Sequence, residues 1–151
     1  MGRRTYQGKI RKTAWVGGAL ILLCLTACGA LWNAPESRAL DFIETLVTAP
    51  EDTQKLRDIA RIAPDRNPED LLDGLSARVA LAFLRAKQVQ GVTLKFTLGD
   101  VHRIDAARRT VAIRVTYPEP ETPANNEVRL QIQARKDDQG QWHITRVTGG
   151  N

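Results

Sequence analysis

Gly91-Val92-Thr93-Leu94-Lys95-Phe96-Thr97-Leu98 is where the chain changes period. Val92, Leu94, Phe96 and Leu98 alternate with Thr93, Lys95 and Thr97, which sets one group on each face of a strand and predicts one buried face. Residues 101–104 extend this strand past a bend at Gly99-Asp100. Downstream the same rhythm recurs. Val111, Ile113, Val115 and Tyr117 alternate with Thr110, Ala112, Arg114 and Thr116, and Val128, Leu130, Ile132 and Ala134 alternate with Arg129, Gln131, Gln133 and Arg135. Trp142, Ile144 and Val147 belong to a last strand. Turns are expected at Asp105-Ala106-Ala107-Arg108 and Asp137-Asp138-Gln139-Gly140. Residues 118–126, with three prolines and two asparagines, read as a loop long enough for recognition. Hairpin links between successive strands make the sheet antiparallel.

Upstream of Gly91 the spacing is helical. Leu40, Ile43, Leu46 and Val47 predict a first helix, capped by Ser37 and ending near Thr48. Glu51 and Asp52 are early-turn acids for a second helix with Leu56, Ile59, Ala60 and Ile62. Asn67 as cap, Pro68 at the first helical position and Asp70 start a third. It is expected to run to about Lys87 with Leu71, Leu72, Leu75, Val79, Ala82 and Phe83 on one buried face. The expected fold is α+β: three helices packed on a curved antiparallel sheet of four to five strands.

The formal charge of +5 is misleading. Arg3, Arg4, Lys9, Arg11 and Lys12 precede the first acid; removing these five from 22 Lys and Arg leaves 17, against 17 Asp and Glu. The rest of the chain is neutral in sum, which removes the electrostatic case for nucleic acid as a partner. Both cysteines, Cys24 and Cys28, lie in or beside an uncharged run at residues 14–32. The region after it has no thiol for a disulfide, a metal site or a nucleophile.

That basic cluster followed by an apolar run has the form of an export signal. Leu25-Thr26-Ala27-Cys28 resembles the processing site of a bacterial lipoprotein, with a branched apolar residue, two small residues and the cysteine that takes lipid. The resemblance implies a signal peptide at 1–27, a tether at 28–36 and an exported domain at 37–151. Cys28 would be the lipidated N-terminus, holding the domain to the cell envelope on the periplasmic side, and Gly29 after it points to the outer membrane. The competing expectation is an uncleaved single-pass anchor in the inner membrane, since nineteen uncharged residues can just span about 30 Å of hydrocarbon. Arg3-Arg4-Thr5-Tyr6 also resembles a twin-arginine export signal.

The order of helices then long antiparallel strands resembles the NTF2-like (cystatin-like α+β roll) superfamily. Gly140-Gln141-Trp142-His143-Ile144-Thr145-Arg146-Val147 is similar to the Gly-x-Trp-x-Ile-x-x-Val ending of many small secreted members. The resemblance implies a curved sheet wrapped around a helix, often enclosing a conical pocket, and an early strand between the second and third helices that is not evident here. Enzymes of the superfamily use an Asp or His inside that cone, so Asp100, His102 and His143 are the acid–base candidates. Alternation turns His143 away from the core, and two distant histidines argue against a transition-metal site.

On the polar side of the strands, Lys95, Arg114, Arg129, Gln131, Gln133 and Arg135 would line one surface. Long Arg and Gln side chains suit a polar, reversible protein contact. The expected function is therefore non-catalytic and free of cofactors: a membrane-tethered envelope lipoprotein whose domain binds an envelope protein, a second copy through the sheet, or a small apolar ligand. The alternatives are an accessory subunit of a secretion or conjugation assembly on an uncleaved anchor, and an isomerase- or dehydratase-like enzyme.

Overall fold

The computed structural model describes residues 34–119 and 122–150, with side chains described for 34–118 and 126–150. The expected signal peptide and Cys28 lie outside the described residues. Helix α1 spans Pro35–Thr48 and starts earlier than the expected cap at Ser37. Pro35 occupies the first turn, where a missing N–H costs nothing and a fixed φ favours the helix. Its inward face is Ala39, Phe42, Ile43, Leu46 and Val47. Helix α2 spans Thr53–Ala60, and the Asp52 carboxylate caps it by accepting from the Lys55 N–H at 3.1 Å. Its far end receives a cation from α1. The Arg38 guanidinium donates to the Ile59 carbonyl at 2.8 Å and the Asp58 carbonyl at 3.4 Å, complementing the negative end of the helix dipole.

The expected third helix is two elements. Asn67 caps a 3-10 turn at Pro68–Leu71, and helix α3 begins afresh at Gly74 and runs to Val89. Between them Leu72 bridges Val147 in parallel, and the Asp73 N–H donates to the Val147 carbonyl at 2.8 Å. This short pairing takes the backbone out of helical hydrogen bonding, and Gly74 at φ +85° turns it back in. It is also the one trace, among the described residues, of the early strand that the family resemblance implies. The interruption resets the helix phase. Ala77, Leu81 and Leu84 face the core, whereas Leu75, Val79 and Phe83 are 77%, 57% and 38% exposed and Ala82 is exposed too. A continuous helix would have carried the expected face inward; the break lets the other apolar stripe take its place.

Four strands form one antiparallel meander in the order β1-β2-β3-β4: Lys95–Arg103, Arg108–Glu119, Thr122–Lys136 and Trp142–Gly149. Residues 118–126 are mostly paired strand rather than a loop, with Tyr117 opposite Asn126 and Glu119 opposite Thr122. The register slips between Tyr117 and Glu119. Pro118 sits at that slip, where an absent N–H breaks no regular ladder bond.

Two further irregularities set which side chains face where. In β1 the pairing jumps from Leu98–Ile113 to Val101–Val111, leaving Gly99-Asp100 as a bulge. In β4 it jumps from Arg146–Gln133 to Ile144–Ala134, so Thr145 is the extra residue, and its hydroxyl donates to the Gln133 carbonyl at 3.1 Å. That bulge allows Ile144 and Val147, three residues apart, to share the inner face.

Between helices and sheet, Phe42, Ile43, Leu46, Leu81 and Leu84 meet Val111, Ile113, Val115, Leu130, Ile132, Ile144 and Val147, all at most 2% exposed. The expected strand residues Val92 and Leu94 precede β1, and β1 itself is an edge whose Leu98 and Val101 stay about 40% exposed. At the start of α1, Glu36 pairs with Arg109 at 2.8 Å, and the Arg109 guanidinium lies 5.0 Å over the Trp142 ring. No helix among the described residues is long and apolar enough to cross a membrane.

Candidate binding face

The side of the sheet away from the helices is built by register. Arg114 on β2 stands between Thr97 of β1 and Arg129 of β3; Ala112 lies beside Gln131, Thr110 beside Gln133, and Arg108 beside Arg135. Lys95 faces Thr116 at one end of the same surface, and Arg146 faces Gln133 on β4. The six residues expected to share a face therefore do so. Arg108 and Arg146 join them. Arg108 was hidden in the sequence as part of a turn, and Arg146 reaches this face only because of the extra residue at Thr145.

Several of these cations are engaged locally. Arg129 pairs with Glu127, which raises the guanidinium's pKa further. Arg108 pairs with Asp105 at 2.6 Å; that bond, and the Ala107 N–H, hold the Asp105 carboxyl below the ordinary carboxylate range. Arg146 reaches Asp73 at 3.3 Å. Lys95, Arg114 and Arg135 have no ion-pair partner among the described residues, and all three are exposed.

Neutrality in sum conceals a separation of charge. Residues 34–73, the layer of α1, α2 and the 3-10 turn, carry ten Asp and Glu against five Lys and Arg. The remainder carries seven acids against twelve bases, and six of those bases, Lys95, Arg108, Arg114, Arg129, Arg135 and Arg146, stand on the outer side of the sheet.

Asp100 and His102 do not point into a cone. Both are exposed and line a depression of about 220 Å³ on the outer face, with Gly99, Thr110, Ala112, Arg114, Arg129 and Gln131. The place expected for an acid–base pair or an apolar ligand, between sheet and helices, is occupied by the core side chains. His143 is half-buried and has a different task. Its Nδ1 is 2.8 Å from the Arg61 carbonyl and its Nε2 is 2.7 Å from the Asp137 carboxylate. Arg61, left-handed at φ 55°, ends α2, and its guanidinium also meets Gln141. The imidazole thus ties the end of α2 to the β3–β4 turn. Asp137 organises that turn by accepting from the Gln139 and Gln141 N–H groups at 2.9 and 2.8 Å. The Gln141 N–H foremost, then His143, keep the Asp137 carboxyl below its usual range. Among the described residues no group of three or more His, Cys, Asp or Glu could hold a metal ion.

Among solved structures the chain is similar to one called Rd1NTF2_04 with long sheet, at 14% identity over 78% of this chain and 100% of that one, TM-score 0.44. A ketosteroid isomerase-like protein from Erwinia carotovora atroseptica SCRI1043 is 15% identical over 76% of this chain and 90% of its own, TM-score 0.41. An NTF-2 like protein of unknown function from Shewanella oneidensis MR-1 is 15% identical over 78% and 100%, TM-score 0.37. No family model matches the chain and no curated protein matches its sequence. The α+β fold class rests on the chain's own element order and register, three helices on one side of a four-stranded antiparallel sheet.

Proposed function

We propose that the chain is an envelope protein, tethered to a membrane through lipid on Cys28, whose domain binds an acidic protein partner with the outer face of its sheet. The observation that carries this reading is the set of exposed cations Lys95, Arg114 and Arg135, without ion-pair partners among the described residues, held in register on a sheet face that none of the described helices covers. An isologous pairing of two such faces would set cation against cation, which costs rather than gains. The charge pattern therefore favours a different, acidic protein over a second copy.

Photo-crosslinking in the producing bacterium tests both halves. A crosslinker at Gln133 is expected to give one discrete adduct with another envelope protein, and one at Lys55 on α2 none. Cys28→Ser should leave the longer precursor and remove lipid label. Adducts of the same kind from both positions, or no change in size or label on Cys28→Ser, would contradict the corresponding half.

A further inference from the structure

We propose that the depression at the β1 bulge is a carboxylate-binding site. There the outer face is recessed, and Arg114, Gln131 and Thr110 line the recess together. Gly99 and Ala112 form a floor of small residues: a Cβ added to Gly99 would stand 3.1 Å from the Ala112 Cβ and 3.5 Å from the Arg114 Nε. Any larger residue at 99 would fill the recess and cover the guanidinium. The bulge also carries Asp100 and His102 to the same rim.

The lining chooses the class of anion. Arg114 is a planar fork of N–H donors with no acid partner among the described residues, suited to two parallel bonds to a carboxylate. The Gln131 amide and the Thr110 hydroxyl add neutral donors at the rim. Arg129 is already occupied by Glu127. With Arg129 held by Glu127, Arg114 is the guanidinium left to meet an incoming anion, and Asp100 in the same recess favours an anion of a single charge. A phosphate dianion would meet Asp100 with twice the like charge that a carboxylate brings. With a volume of about 220 Å³ the recess fits a carboxylic group and its nearest carbons, not a large ligand. For the source of that group, an Asp or Glu side chain of the acidic partner, the inference rests on the function proposed above; for the chemistry of the site it does not.

The test is a titration of the purified full chain in detergent, at constant ionic strength with chloride as the exchanged anion, followed by NMR at the Gly99, Ala112 and Gln131 amides. Acetate is expected to shift these signals saturably, Arg114→Gln to weaken that binding about tenfold or more, and phosphate to bind no tighter than acetate. Arg114 is exposed, and its side chain donates no hydrogen bond among the described residues, so the variant should keep the wild-type spectrum elsewhere. Absence of saturable acetate shifts, equal binding by Arg114→Gln, or tighter binding of phosphate would overturn the site, whatever the crosslinks show. If Arg114→Gln also abolishes the Gln133 adduct, the partner supplies the carboxylate. If the adduct persists while acetate binding is lost, the site stands and its natural occupant is a free small carboxylic acid.

Discussion

Phe42→Ala should destabilise the domain by about 3–5 kcal/mol, the largest single effect expected of any side chain described here. Phe42 is 0% exposed and lies midway along α1. That helix touches all four strands as well as α2 and α3, so the surrounding wall is shared by elements that cannot all move inward together. A hole left under them stays a hole, and the lost transfer energy is joined by the cavity term. For a domain with 5–15 kcal/mol of total stability, this is a large share. Urea unfolding of the full chain, read by Trp fluorescence, would show it as a lower midpoint with an unchanged slope. A loss below about 1 kcal/mol would mean that α1 is not the central packing element.

The second large effect tests the phase of α3. Leu81→Ala is expected to cost about 2–5 kcal/mol, while Val79→Ala, two residues away on the same helix, should change stability by about 0.5 kcal/mol or less. Leu81 is 2% exposed and Val79 is 57% exposed. Equal losses at both positions, or the larger loss at Val79, would restore the continuous helix from Asn67 that the spacing alone suggests.

That helix shows where the sequence is and is not readable. Strand alternation placed Val111, Ile113, Val115, Leu130 and Ile132 correctly, since a period of two has one solution once one face is apolar. Helix α3 has apolar residues around most of its circumference, so its buried stripe is decided by the Leu72–Val147 bridge. No local pattern announces a contact 75 residues distant. Residues 118–126 failed for a related reason. Pro and Asn weigh towards a loop locally, but pairing with the partner strand carries the hairpin on to Glu119 and Thr122.

The polar face was legible as alternation, and its six expected residues are indeed neighbours across β1, β2 and β3. What alternation could not supply is the recess at Gly99. A bend at Gly99-Asp100 was readable, but its consequence, bringing Asp100 and His102 beside Arg114 rather than into an apolar cone, depends on which strand pairs opposite. Charge was misjudged in the same way. A sum of zero over 34 charged groups says nothing about their division between an acidic helix layer and a cationic sheet face.

Arginine footprinting addresses the central claim, that the outer face of the sheet is the working surface, most directly. Intact envelopes and the purified full chain are treated with phenylglyoxal, and modification is read residue by residue by mass spectrometry. Arg114 and Arg135 should react several-fold more slowly in the envelope than in the purified chain, with Arg66 on the helical side reacting equally in both. Equal reactivity of Arg114 and Arg135 in the two preparations would show a bare sheet face in the native setting and contradict the account.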